Sequence, residues 1–220
     1  MSSLPSIRYR WAGTIIMIAS LLSSCMLVRN PIPCDEIRED ALRTLPFGAA
    51  TMPEVGEWVI TTYQVDETSV MEQQNQLSWN LPNRSFTARF EDDILRRVIV
   101  YWSMGPTVEE IIDCLGTPEY YEATIKRDIR PRFDFVLWYP SQGLVAGSSH
   151  FRRGSMTAED VSKDYRMDRF IVTKPGALEN VVAIVYGGSS IDEVPDELIS
   201  TIKPWPGSLD QIVVDNLLLK

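Results

Sequence analysis

From residue 34 onward the apolar positions recur with two periods. A period near 3.6 marks two helices. In 35–45, Ile37, Ala41 and Leu45 fall at i, i+4 and i+8, and Cys34 extends the stripe backward until Pro46 ends it. In 107–116, Thr107 and Glu110 make a capping box, Val108, Ile111, Ile112 and Leu115 form the apolar stripe, and Gly116 with Pro118 closes the helix. Between and beyond them the period is two. Strands are predicted at 57–65, 74–81, 85–90, 94–102, 120–126, 133–139, 144–151, 166–173 and 181–186, with 48–56 a loop. In 85–90, Phe86, Ala88 and Phe90 alternate with Ser85, Thr87 and Arg89. Asp196 to Ile202 reads as a short helix, and 209–219 as a strand laid against the sheet. Turn residues at 82–83 and 91–93 leave only short connections, which imply antiparallel meanders. The expected fold is α+β, short helices packed on antiparallel sheet. Residues 34–103 and 104–220 follow one plan, a helix and then strands, as two tandem units or as parts of one domain.

The first 33 residues follow different rules. Arg8 and Arg10 precede a mostly apolar run, 11–22, that is too short to span a bilayer as a helix. A basic start, a short apolar stretch and small residues describe a secretory signal. Leu22-Ser23-Ser24-Cys25 resembles the bacterial lipobox. That resemblance implies that 1–24 is a lipoprotein signal peptide and that Cys25 carries a diacylglyceryl group and becomes the acylated N-terminus. Residues 25–33, with Pro31 and Pro33, would be a tether. Two or three acyl chains anchor stably where one would not. The expected location is the cell membrane or outer membrane, lipid-anchored and facing the periplasm or cell exterior.

Charge and rare residues narrow the chemistry. The 220 residues carry a net charge of −9. Loss of Arg8 and Arg10 with the leader takes it to −11, which opposes nucleic-acid binding. His150 is the one histidine, so a multi-histidine metal site is excluded. Export would place Cys34 and Cys114 in an oxidising compartment, as a disulfide or as two buried thiols. Nucleophile elbows, phosphate loops and zinc-protease motifs are missing. The 187–190 run Gly-Gly-Ser-Ser reads as a loop beside acidic residues, 91–93 as a solvated turn, and His150 as a strand-end residue. No cofactor and no metal are expected.

Gly105-Pro106-Thr107-Val108-Glu109-Glu110-Ile111-Ile112-Asp113-Cys114-Leu115-Gly116-Thr117-Pro118 resembles the helix of the BamE (SmpA/OmlA) lipoproteins, and tandem copies of such a unit resemble the architecture of the beta-lactamase inhibitor protein. In the best-known members of the former, both helices precede a three-stranded sheet, whereas here long strand-rich stretches follow each helix. The resemblance implies a non-enzymatic envelope lipoprotein working through protein contacts. Strand alternation puts some aromatic residues on a second sheet face, so Trp102 and Trp138 are candidates for an interaction surface. The leading expectation is a non-catalytic interaction module with a protein partner. The alternative is a membrane-anchored binding protein for a small apolar or glycan ligand, and a third is a carboxylate-using hydrolase.

Overall fold

Asp92 and Asp93 both have positive φ, 50° and 63°. That is the backbone of a two-residue primed turn, whose twist matches the strands it joins. It links β3 (Arg84–Glu91) to β4 (Ile94–Trp102) in a computed structural model that describes residues 31–126, 132–151 and 161–217. Before them come β1 (Met71–Gln73) and β2 (Gln76–Leu81); after them come β5 (Tyr120–Lys126), β6 (Arg132–Tyr139), β7 (Leu144–Phe151) and β8 (Arg169–Thr173). The order across the sheet is β1-β2-β3-β4-β8-β7-β6-β5. Two four-stranded antiparallel meanders thus meet where their last strands, β4 and β8, pair antiparallel. The outer edge of β5 is closed by β9 (Ile202–Pro204), antiparallel, and by β10 (Asp215–Leu217), parallel. The fold is α+β, and all ten strands belong to one sheet within the unit Ile32–Lys220.

The helices depart from the sequence reading at three places. The stretch 35–45 is not one helix. α1 (Cys34–Ile37) stops at a turn in which Glu39 has φ +52°, and a 3-10 turn, Leu42–Thr44, follows. The predicted loop 48–56 and strand 57–65 are instead α2 (Met52–Tyr63). Thr51 and Glu54 form a capping box, Pro53 occupies the first turn, and Met52, Val55 and Val59 are buried at helical spacing. A period of two taken to begin at 57 suggested a strand, but packing of that stripe overrides it. The predicted strand 181–186 lies in α4 (Leu178–Tyr186), which ends at Gly187 with φ +85°. Between these, α3 (Val108–Leu115) has the predicted box: Thr107 Oγ1 accepts the Glu110 N–H, and Glu110 accepts the Thr107 N–H. α5 (Asp196–Ile199) is one turn.

The sheet has two differently treated faces. One is apolar along its whole width and packs under α1, α2 and α3, with Trp79, Phe86, Val98, Val100, Phe135, Leu137 and Phe170 at its centre. The other is split. Over β6, β7 and β8 it carries Val136, Trp138, Val145 and Ile171, covered by Val181 and Val182 of α4 and by Val194. Over β2, β3 and the end of β4 it is polar. Among the described residues, no helix is long and apolar enough to cross a membrane.

Candidate interaction face and adjoining cavities

Cys25 lies outside the described residues. Cys34 and Cys114, 80 positions apart, come together with Cα atoms 5.2 Å apart and their sulfurs in bonding contact, so α1 is joined to α3. The pair is disulfide-capable. His150 pairs through its backbone with Phe133, and its side chain lies outside the described residues. The 187–190 loop is the exit of α4, where the Ser189 N–H and the carboxylate of Glu193 bond to each other.

The two tryptophans expected to face a partner do not. Trp102 is 5% and Trp138 1% exposed. Trp102 follows Val98 and Val100 on the helix-covered face, and the guanidinium of Arg84 sits 4.8 Å from its ring. Arg84 in turn donates to both oxygens of Glu39 at 3.4 Å. Burial pushes the Glu39 carboxyl up to about 8, with Arg84 pulling the other way. Trp138 is on the opposite face, as alternation requires, but α4 covers it there and Tyr186 lies against it at 6.4 Å. Because 181–186 is helix and not strand, that half of the second face is closed.

Beneath α4 is a cavity of about 210 Å³ lined by Glu122, Asp134, Trp138, Arg169 and Tyr186. Glu122 is 1% and Asp134 5% exposed. Tyr186 donates to one Glu122 oxygen at 3.0 Å, and Thr124 donates to the other at 3.3 Å. Burial, then the neighbouring Glu122 charge, raises the Tyr186 phenol above its ordinary value. Both Glu122 oxygens are thus already engaged by hydroxyls of the fold. A carboxylate so engaged is suited to holding α4 on the sheet.

What stays open is the polar half of the second face. Register places Ser78 opposite Thr87, Asn80 opposite Ser85, and Ser85 opposite Tyr101. Asn80, Arg89 and Tyr101 are exposed, Tyr101 by 44%. Ser78, Ser85 and Thr87 are half-buried there and Asn80 is exposed. Met104, 59% exposed, follows at the end of β4. Tyr101, the neighbour of Trp102, is therefore the aromatic residue that alternation presents outward.

At the other end of this face, register sets Gln76, Arg89, Arg97 and Thr173 in one row across β2, β3, β4 and β8. Arg97 turns toward the last turn of α4 and donates to the carbonyls of Ile184 and Val185. Burial, followed by the like charge of Arg89, lowers the Arg97 pKa from its ordinary value. Among the described residues no group of three or more His, Cys, Asp or Glu is placed to hold a metal. Comparison with known families, with characterised proteins and with solved structures finds no match in any of the three. The resemblance noted for 105–118 rests on those residues alone.

Proposed function

We propose that this chain is a bacterial cell-envelope lipoprotein, held to a membrane through acyl groups on Cys25, and that it acts as a non-catalytic protein-interaction module. The observation that carries the reading is the open half-face over β2–β4. A face built of Ser78, Asn80, Ser85, Thr87 and Tyr101 offers hydrogen-bonding groups and one large exposed ring on a rigid sheet. Tyrosine in such a setting gives much contact area for little ordering cost. The acidic body has no attraction to anionic lipid heads, so attachment falls to the lipid on Cys25.

Site-specific photo-cross-linking in the native membrane tests the proposal. A photoreactive residue at Tyr101 or Thr87 is expected to give one discrete adduct with another protein, and the same group at Glu179 on α4 is not. Cys25→Ser is expected to release the protein from the membrane fraction. An intact mass that retains Met1, or identical adducts from Tyr101 and Glu179, overturns it.

The cavity beneath α4 favours a second reading, a membrane-anchored binding protein for a small apolar or glycan ligand. Its 210 Å³ falls below the 300–1,000 Å³ of ordinary ligand sites.

A further inference from the structure

We propose that the cleft between the β3–β4 end of the sheet and the C-terminal end of α4 binds a small organic oxyanion, with Arg89 and Lys174 as its cationic ligands. The cleft has a volume of about 590 Å³, within the range of small-molecule sites. Its walls bring Arg89, Arg96, Arg97 and Lys174 together in a chain whose net charge is −9.

The charges inside it are unevenly satisfied. Arg96 is paired with Glu91 at 2.8 Å, and Ser189 donates to the same carboxylate at 2.6 Å. Arg97 is used by the carbonyls that end α4. Glu91, the carboxylate among the described lining residues, is therefore already matched, by Arg96 and by Ser189. Arg89 and Lys174 are left over: both are exposed, and neither has an ion pair among the described residues. Arg89 also stands directly across the strand pair from Arg97. Arg97 is relieved of that like charge by the carbonyls that end α4, whereas Arg89 is not, so Arg89 stays an unpaired cation beside a cavity of ligand size.

The rest of the lining describes the ligand's body. Pro175 and Ile184 give an apolar wall, and Asn75 and Asn180 add hydrogen-bonding amides. A planar or compact body bearing one carboxylate or phosphate suits this mixture. Arginine grips such a group through two parallel N–H bonds, and lysine adds a point charge.

Calorimetric titration of the full-length protein at about 0.15 M salt, where long-range attraction is screened, tests this. The probes are phenyl phosphate, benzoate and neutral benzamide. Saturable binding of either anion, with none of benzamide, is expected; which anion binds identifies phosphate or carboxylate as the recognised group. Arg89→Gln and Lys174→Gln are each expected to weaken that binding at least tenfold. Arg38→Gln, at a half-exposed cation that caps the C-terminus of α1, pairs with Asp40 and does not line the cleft, is expected to leave it unchanged. Both cleft residues are exposed, so the variants retain the fold, and matching thermal midpoints check that. Absence of saturable binding by both anions, or binding unchanged in Arg89→Gln and Lys174→Gln, overturns the proposal.

Discussion

Breaking the Cys34–Cys114 link offers the most quantitative test of how the first helix is held. The two residues are separated by 80 positions. Restraining a loop of that length in the unfolded chain is worth about 4.5 kcal/mol in the chain-entropy model. For a folded body near 190 residues, each kcal/mol moves the thermal midpoint by about 2–4 °C, so the expected fall is about 9–18 °C. α1 itself is only four residues long and cannot be a stable helix alone. Ile37 and Leu42 are fully buried, however, so the segment keeps an apolar hold on the core after the link is cut. The assay is thermal unfolding of oxidised protein, reduced protein and the Cys34→Ala/Cys114→Ala variant, followed by circular dichroism. The last two should coincide, both well below the first. A fall of less than 3 °C, or two alkylatable thiols in the unreduced denatured protein, refutes the reasoning.

Three further substitutions probe other features. Gly56 sits inside α2 with nothing within 4 Å of where an added methyl would stand, so Gly56→Ala should stabilise by about 0.5–1 kcal/mol in urea titration; a loss would argue against helix there. At Gly105 an added Cβ would stand 1.6 Å from the Met167 carbonyl oxygen, so Gly105→Ala should cost about 3 kcal/mol or more, and a variant of wild-type stability would contradict the packing of 105–107 on 165–167. Glu39 has a folded pKa raised to about 8 from 4.5, so its protonated form favours folding: the contribution is complete below about pH 4.5 and is lost as pH rises through 8, by at most about 5 kcal/mol. Denaturant melts at pH 5 and 8 should show Glu39→Gln gaining on the wild type at the higher pH; an unchanged difference would refute the assignment.

Much of the sheet was legible because each strand needs only its own alternation and a turn. β4, β5, β7 and α3 begin and end at the predicted residues, the last because both of its ends carry explicit chemistry in Thr107, Glu110 and Gly116. α2 was missed because Pro53 counted toward a loop over 48–56 and a period of two was taken to begin at 57, whereas Thr51, Pro53 and Glu54 begin a helix. α4 was misread for a different reason. Residues 181–186 are apolar on nearly every side, and a short apolar run carries no period to separate helix from strand. Gly187, in its left-handed conformation, and Glu179 in the first turn were the available marks. That single error also determined the fate of Trp138, because the helix, once present, covers the face on which the ring was expected to be free. The Arg89–Arg97 pair belongs to the local β3–β4 hairpin, but the cleft could not be read from sequence: Lys174 reaches it only through β4 pairing with β8, strands some seventy residues apart, and no local rule supplies that register.

The two halves of the second sheet face differ in what can be laid on them. Over β6–β8 the outward positions are Val136, Trp138, Val145 and Ile171, and they are buried by a helix. Over β2 and β3 the outward positions are Ser78, Asn80, Ser85, Thr87 and Arg89, which are half-buried or exposed. Ser78 and Thr87 bond to each other at 3.3 Å, but covering this set with an apolar helix would take Asn80, Ser85 and Arg89 away from water, at roughly 1–3 kcal/mol for each one left unpaired. The strands that need a cover have one, and the strands that lack a cover have the chemistry to stay wet. Any partner of this half must therefore replace water bond for bond. It can draw net apolar contact there from Tyr101 and, at the strand end, Met104. For that reason Tyr101, and not either buried tryptophan, is the position at which a substitution should separate binding from folding.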